Sequence, residues 1–159
     1  MLLIFVLCTS SIKTFTSKNS KTKIEKTKFK KEATDCSIAK SDITVTFKVT
    51  NTGSRSGKDT VQVYYSAPYK KGGIEKSAIN LAGFAKTKLL KPGESQSLKV
   101  TFKINDMASY DYKNRQAWVL EKGDYKIIAA DNVRQHIKTF TNCYTKNRFQ
   151  FTILKFYQK

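Results

Sequence analysis

The sequence is poor in the residues that most site chemistry needs. Its one histidine, His136, cannot build a histidine-based metal site or a catalytic triad within the chain. Its three cysteines, Cys8, Cys36 and Cys143, are odd in number, far apart and form no CxxC pair. That argues against a zinc site and against a disulfide framework. Acids are scarce, with 12 Asp and Glu against 30 Lys and Arg. Two prolines and seven glycines are too few for a low-complexity chain. No apolar run is long enough to span a bilayer, and residues 1–8, MLLIFVLC, fall far short. A secretory signal would open with a charged segment, whereas the first lysine is Lys13. The start therefore reads as a weak signal, a truncated one or a misplaced start, and leaves secreted and cytoplasmic locations both open. Nothing in the residues calls for a metal or a cofactor.

What the chain does have is alternation. Ile43, Val45, Phe47 and Val49 alternate with Thr44, Thr46, Lys48 and Thr50; Val61, Val63 and Tyr65 alternate with Thr60, Gln62 and Tyr64. A period of two buries one set and leaves the other to water. Asn51, Gly53 and Gly57 between the runs suit a chain reversal. Residues 43–67 thus read as two strands that are antiparallel neighbours. Further strands are expected at 29–38, at 81–90 with a bulge at Gly83, at 96–104, at 118–120 and at 125–130. Asn105 or Asp106 is placed to cap a single helical turn. Seven or so short strands, with turn signals about every ten residues and no long helical period, describe a β-sandwich. Val45, Phe47, Val61, Val63, Leu98, Val100, Phe102 and Ile127 are its expected core.

The formal charge of +18 concentrates at the ends. Residues 1–28 carry six lysines and one acid, and residues 136–159 carry five basic residues and none. The division expected is an apolar start with a Lys/Thr/Ser-rich disordered arm at 1–28, a sandwich at 29–135, and a basic aromatic tail at 136–159. Phe149, Phe151 and Ile153 alternate within that tail. Such charge attracts polyanions without specificity. A solvated lysine surface accounts for it equally, and the basic residues form no specific nucleic-acid-binding motif.

Five stretches taken in order carry a resemblance: VTNTGSRSG at 49–57, VQVYYSAPY at 61–69, GGIEKS at 72–77, LAGFAKTKLLKPGES at 81–95 and LEKGDY at 120–125. They resemble the fibronectin type III-like domain of family 3 glycoside hydrolases, the β-glucosidase and β-xylosidase group, with wording similar to clostridial-type members. The resemblance implies an all-β, immunoglobulin/fibronectin III-like β-sandwich of about seven strands, with disordered or irregular ends. It also implies that catalysis lies elsewhere, in a barrel with an Asp nucleophile and in an α/β sandwich domain with a Glu acid/base. Retaining hydrolysis needs two carboxylates about 5 Å apart. The nearest string to the nucleophile motif is Ser41-Asp42-Ile43, at the start of a strand, so no catalytic residue carries over.

The chain then reads as a non-catalytic structural accessory domain whose partners are glycosidase catalytic domains. The alternative is a stand-alone secreted module that binds carbohydrate or protein. Two features are candidate sites. Residues 69–80 form a wet loop carrying apolar Tyr69, Ile74 and Ile79, as an interface awaiting a partner would. Tyr64, opposite in face to Val63 and Tyr65, is the candidate exposed aromatic. Trp118, at strand spacing with Leu120, belongs in the core or at a domain interface.

Overall fold

The structure, a computed structural model, describes residues 27–141 and the backbone of residues 155 and 156. Residues 1–26 of the arm expected at 1–28, and the alternation of Phe149, Phe151 and Ile153, lie outside the described residues. In chain order the strands are β1 (Phe29–Ala39), β2 (Asp42–Asn51), β3 (Thr60–Ser66), β4 (Asn80–Lys86), β5 (Ser95–Lys103), β6 (Ser109–Asp111), β7 (Ala117–Val119), β8 (Lys126–Asn132), β9 (Gln135–Phe140) and β10 (Lys155–Phe156). A 3-10 turn, Ile104–Met107, follows β5. The Asp106 carboxylate reaches back from inside this turn to accept the Lys103 N–H at 3.1 Å.

Seven strands make the sandwich: β1-β2-β5 in one sheet and β4-β3-β8-β9 in the other. The short strands β6 and β7 form a separate three-stranded sheet with β10, in the order β10-β7-β6. Every pairing is antiparallel. The expected alternation holds on both central strands, with Val45, Phe47 and Val49 of β2 and Val61 and Val63 of β3 fully buried. All eight expected core residues are buried, and Ile43, Leu90 and Leu120 join them. Side chains from two twisted sheets interdigitate there, and removing their area from water is the main drive to fold.

Three expectations need correction. First, β2 and β3 are not neighbours. β2 is flanked by β1 and β5, and β3 by β4 and β8, so the chain between them crosses from one sheet to the other. Periodicity tells which face of a strand is buried, not which strand lies beside it. Second, one more sandwich strand, β9, follows residue 130. Only Ile137 and Phe140 of β9 pack on the core, three residues apart, and the β8–β9 register shifts twice, so no alternation marks it. Third, Cys36 is buried and disulfide-bonded. Cys8 and Cys143 lie outside the described residues.

The crossover is organised by Asn51, the last residue of β2, which is fully buried. Its side-chain amide donates to the Arg55 and Leu90 carbonyls, each at 2.8 Å, and its side-chain oxygen accepts the Gly53 N–H at 2.9 Å. Its backbone N–H donates to the Glu94 carbonyl at 2.9 Å, and its own carbonyl accepts the Gly93 N–H at 2.8 Å. One residue thus joins the end of β2, the crossover and the turn before β5. A buried amide is tolerated only when it is satisfied in this way. Asn51→Ala removes one hydrogen bond each from the Arg55 carbonyl, the Gly53 N–H and the buried Leu90 carbonyl, which keeps the Gly57 N–H. It should cost about 3 kcal/mol in denaturant unfolding, whereas Thr52→Ala should cost about 0.5 kcal/mol or less. A loss below about 1 kcal/mol for Asn51→Ala would show that the crossover does not depend on it.

Candidate functional site

The carboxylates that might have carried chemistry serve the scaffold. Glu94 accepts the Lys91 N–H at 2.9 Å and pairs with Lys88 at 2.9 Å, and these two contacts, in that order of weight, hold its pKa below the usual range. Glu32 pairs with Lys30 at 2.7 Å, which lowers the Glu32 pKa. Asp111, buried, accepts the Asn114 N–H at 3.0 Å. Asp42 opens β2 between Ala39 and Lys103 in the ladders of sheet one. Among the described residues, no three His, Cys, Asp or Glu side chains cluster as metal ligands would. Two buried phenols frame the 3-10 turn side of the core. Burial, with a further push from Tyr65, raises Tyr125 to about 12. Burial and the Asp106 charge raise Tyr65, whose hydroxyl donates to the Asp106 carbonyl at 3.2 Å.

Two lysine side chains are largely withdrawn from solvent. The Lys31 side chain, 7% exposed, stands on β1 and pairs with Asp59 at 2.9 Å and with Asp131 on β8, while donating to the Thr60 carbonyl at 2.9 Å. It links the two sheets and lies under an open cleft of about 740 Å³, lined also by Lys58, Arg134 and His136. An ammonium has three donors, and these contacts occupy all of them, so Lys31 has none to offer a ligand. The second is Lys76, in the candidate interface loop. Its ammonium donates to the Pro68 carbonyl at 3.0 Å and pairs with Glu121 between β7 and β8. Burial pushes the Lys76 pKa down.

The loop is therefore not wet along its whole length. Pro68, where it begins, rests on the Gly123 turn so closely that a Cβ on Gly123 would sit 2.8 Å from the proline ring. Of the three apolar residues singled out in the loop, Tyr69 is 55% exposed, while Ile74 and Ile79 are half-buried. Lys70 and Lys71 remain exposed. Tyr64 does point away from the core, but it is half-buried and its hydroxyl donates to Gln62.

The larger exposed surfaces lie elsewhere. Trp118 is 46% exposed and meets Tyr110 edge to face, with ring centroids 5.6 Å apart. The core position goes instead to its neighbours Val119 and Leu120, both fully buried. Phe84 is 68% exposed and Leu81 53%, both on β4. Sequence reasoning read β4 as an ordinary strand and missed them. The one signal was Gly83, read as a bulge but not followed to its effect on facing.

Comparison with known proteins agrees with this geometry. The family model for the fibronectin type III-like domain matches residues 59–133. β-Glucosidase A of Butyrivibrio fibrisolvens is 46% identical over 95 residues, which is 58% of this chain and 11% of that protein. The β-glucosidase of Ruminococcus albus is 44% identical over 102 residues, 62% of this chain and 11% of that one. Among solved structures, β-glucosidase 3B of Thermotoga neapolitana superposes with a TM-score of 0.68 at 32% identity, over 82% of this chain and 17% of its own. A β-glucosidase of Paenibacillus barengoltzii gives 0.68 at 33%, over 81% and 14%. The chain thus spans about a tenth of the length of the curated relatives it matches. The sandwich is similar, over residues 59–133, to the fibronectin type III-like domain, and to a stretch found within these β-glucosidases.

Proposed function

We propose that this chain is a non-catalytic structural domain that packs against the catalytic domains of a β-glucosidase-type enzyme and holds them in place. The observation that carries this reading is the match itself, which covers 58–62% of this chain but 11% of each of the two bacterial relatives. A stretch that small within an enzyme leaves nine-tenths of it to supply the sugar site. The carboxylates described here support the same reading, since Glu94, Glu121, Asp59, Asp106, Asp111 and Asp131 each hold a lysine or a backbone N–H of this fold. Purified chain should release no chromophore from aryl-glucosides or aryl-xylosides. Turnover that follows the protein through purification, and survives Asp42→Ala, would overturn the reading.

The loop at residues 69–80 contributes to the interface through exposed Tyr69 and half-buried Ile74 and Ile79. Its anchoring by Lys76 sharpens what limited proteolysis should report. Trypsin should cut the isolated chain after Lys70 and Lys71 and spare Lys76, because the Lys76 side chain is 5% exposed and held by Glu121. Glu121→Gln should open Lys76 to cleavage, and a complete relative should resist throughout the loop. If the isolated chain resists at Lys70 and Lys71 as well, the loop closes on its own sandwich and takes no part in an interface.

A further inference from the structure

We infer that the outward face of β4 and the adjoining part of β3, centred on Leu81 and Phe84, is the docking surface, and that its occupant is an apolar patch rimmed by carboxylates on the catalytic part of a β-glucosidase-type chain. The inference rests on the accessory reading above and deepens it.

The strand β4 is inside out. Its small residues, Ala82 and Ala85, pack on the core, while its two large apolar residues, Leu81 and Phe84, face outward. Residues three apart in a regular strand point to opposite faces. Leu81 and Phe84 share a face because the ladder to β3 shifts register between Val63 and Tyr64, pairing Leu81 with Tyr64 and Phe84 with Gln62. A bulge re-aims side chains in this way. The inner side leaves no room for the reverse arrangement, since a Cβ at Gly83 would lie 3.0 Å from the Val100 side chain of the opposite sheet. β4 therefore sits close against β5 on small residues and presents its bulk to the outside.

The surroundings identify the partner's chemistry. Cross-strand partners share a face, so the surface continues from Leu81 and Phe84 onto half-buried Tyr64 and ends at β8, where Ile128 and Ala130 on the same face are already buried. Its charged members are Lys86, opposite Thr60, and Lys126, opposite Ser66; the paired positions of this face hold no Asp or Glu. An apolar centre with a basic rim fits an apolar patch with an acidic rim. The other sheet offers the contrast. Its outward positions are Thr44, Thr46, Lys48, Thr101 and Lys103, with Thr44 and Thr101 hydroxyls bonded to each other at 2.9 Å, which is a surface made for water. One face of the sandwich is thus solvent-facing, and the other is built to be covered.

The test replaces the matched 95-residue stretch of the Butyrivibrio fibrisolvens β-glucosidase A with the full chain, unchanged or carrying Leu81→Asp and Phe84→Asp together. The unchanged chimera should hydrolyse an aryl-glucoside, and the double variant should lower its temperature of thermal inactivation by at least about 3 °C. In the isolated full chain the same double variant should move the melting temperature by about 1 °C or less. An active chimera indifferent to the substitutions overturns the surface and leaves the accessory reading standing. An inactive unchanged chimera overturns the accessory reading on which the surface depends. A lowered melting temperature in the isolated variant means that the two side chains pack within their own domain, and the proposal fails. An isolated chain that sediments as a dimer, and as a monomer when doubly substituted, assigns the face to a second copy and likewise overturns it.

Discussion

The sandwich depends on a chain that leaves one sheet and enters the other without exposing or stranding its backbone. Asn51 meets that constraint. At the end of β2 the ladder to β5 stops and four polar groups converge on Asn51: the Leu90 and Arg55 carbonyls and the Gly53 N–H on its side chain, and the Gly93 N–H on its backbone carbonyl. An aspartate could not donate to the two carbonyls, and a serine could not reach both sides. An asparagine carries donors and an acceptor on one rigid plane. With the crossover held, Gly57 and Leu90 exchange a pair of backbone hydrogen bonds, and Leu90 is buried under both sheets. The register of β3 follows from where that crossover ends, and with it the alignment of Val61 and Val63 against Val45 and Phe47.

Much of this was legible in the residues because strands write their burial directly. The alternation in β2, β3 and β5 places the large core residues of those strands on the correct face. What stayed hidden belongs to relations between distant positions. Alternation in β2 and β3 is the same whether the strands pair edge to edge or face each other across a core, so the neighbour relation was misjudged. Lys76 looks solvated by its charge, and only Glu121, 45 residues away, makes its burial tolerable. Leu81 and Phe84 look like core residues by type. One shifted register turns them outward, and a sequence reveals the glycine beside a bulge more readily than the bulge's consequence.

Function follows from how polar groups are used. Carboxylates anchor lysines, cap a 3-10 turn or brace a reverse turn. Lysines withdrawn from solvent bridge sheets or pin a loop. Large apolar side chains stand exposed beside them, among them Leu81 and Phe84 on one sheet face, Tyr69 at the loop and Trp118 beside Tyr110. Apolar side chains left exposed in this way suit contact with another surface, in keeping with the accessory role proposed above. That pattern agrees with a stretch occupying about a tenth of much longer β-glucosidases.

The central claim is that the crossover at Asn51 is part of the rigid sandwich although it lies in loops. Amide hydrogen exchange on the full chain tests this directly. The N–H groups of Gly53 and Gly93 sit outside any strand and near the surface, yet both are bonded to Asn51. They should exchange as slowly as the amides of β2 and β5, opening only when the sandwich unfolds. Fast exchange at Gly53 and Gly93 beside protected β2 and β5 amides would contradict the account, because the crossover would then open independently of the two sheets it is held to join.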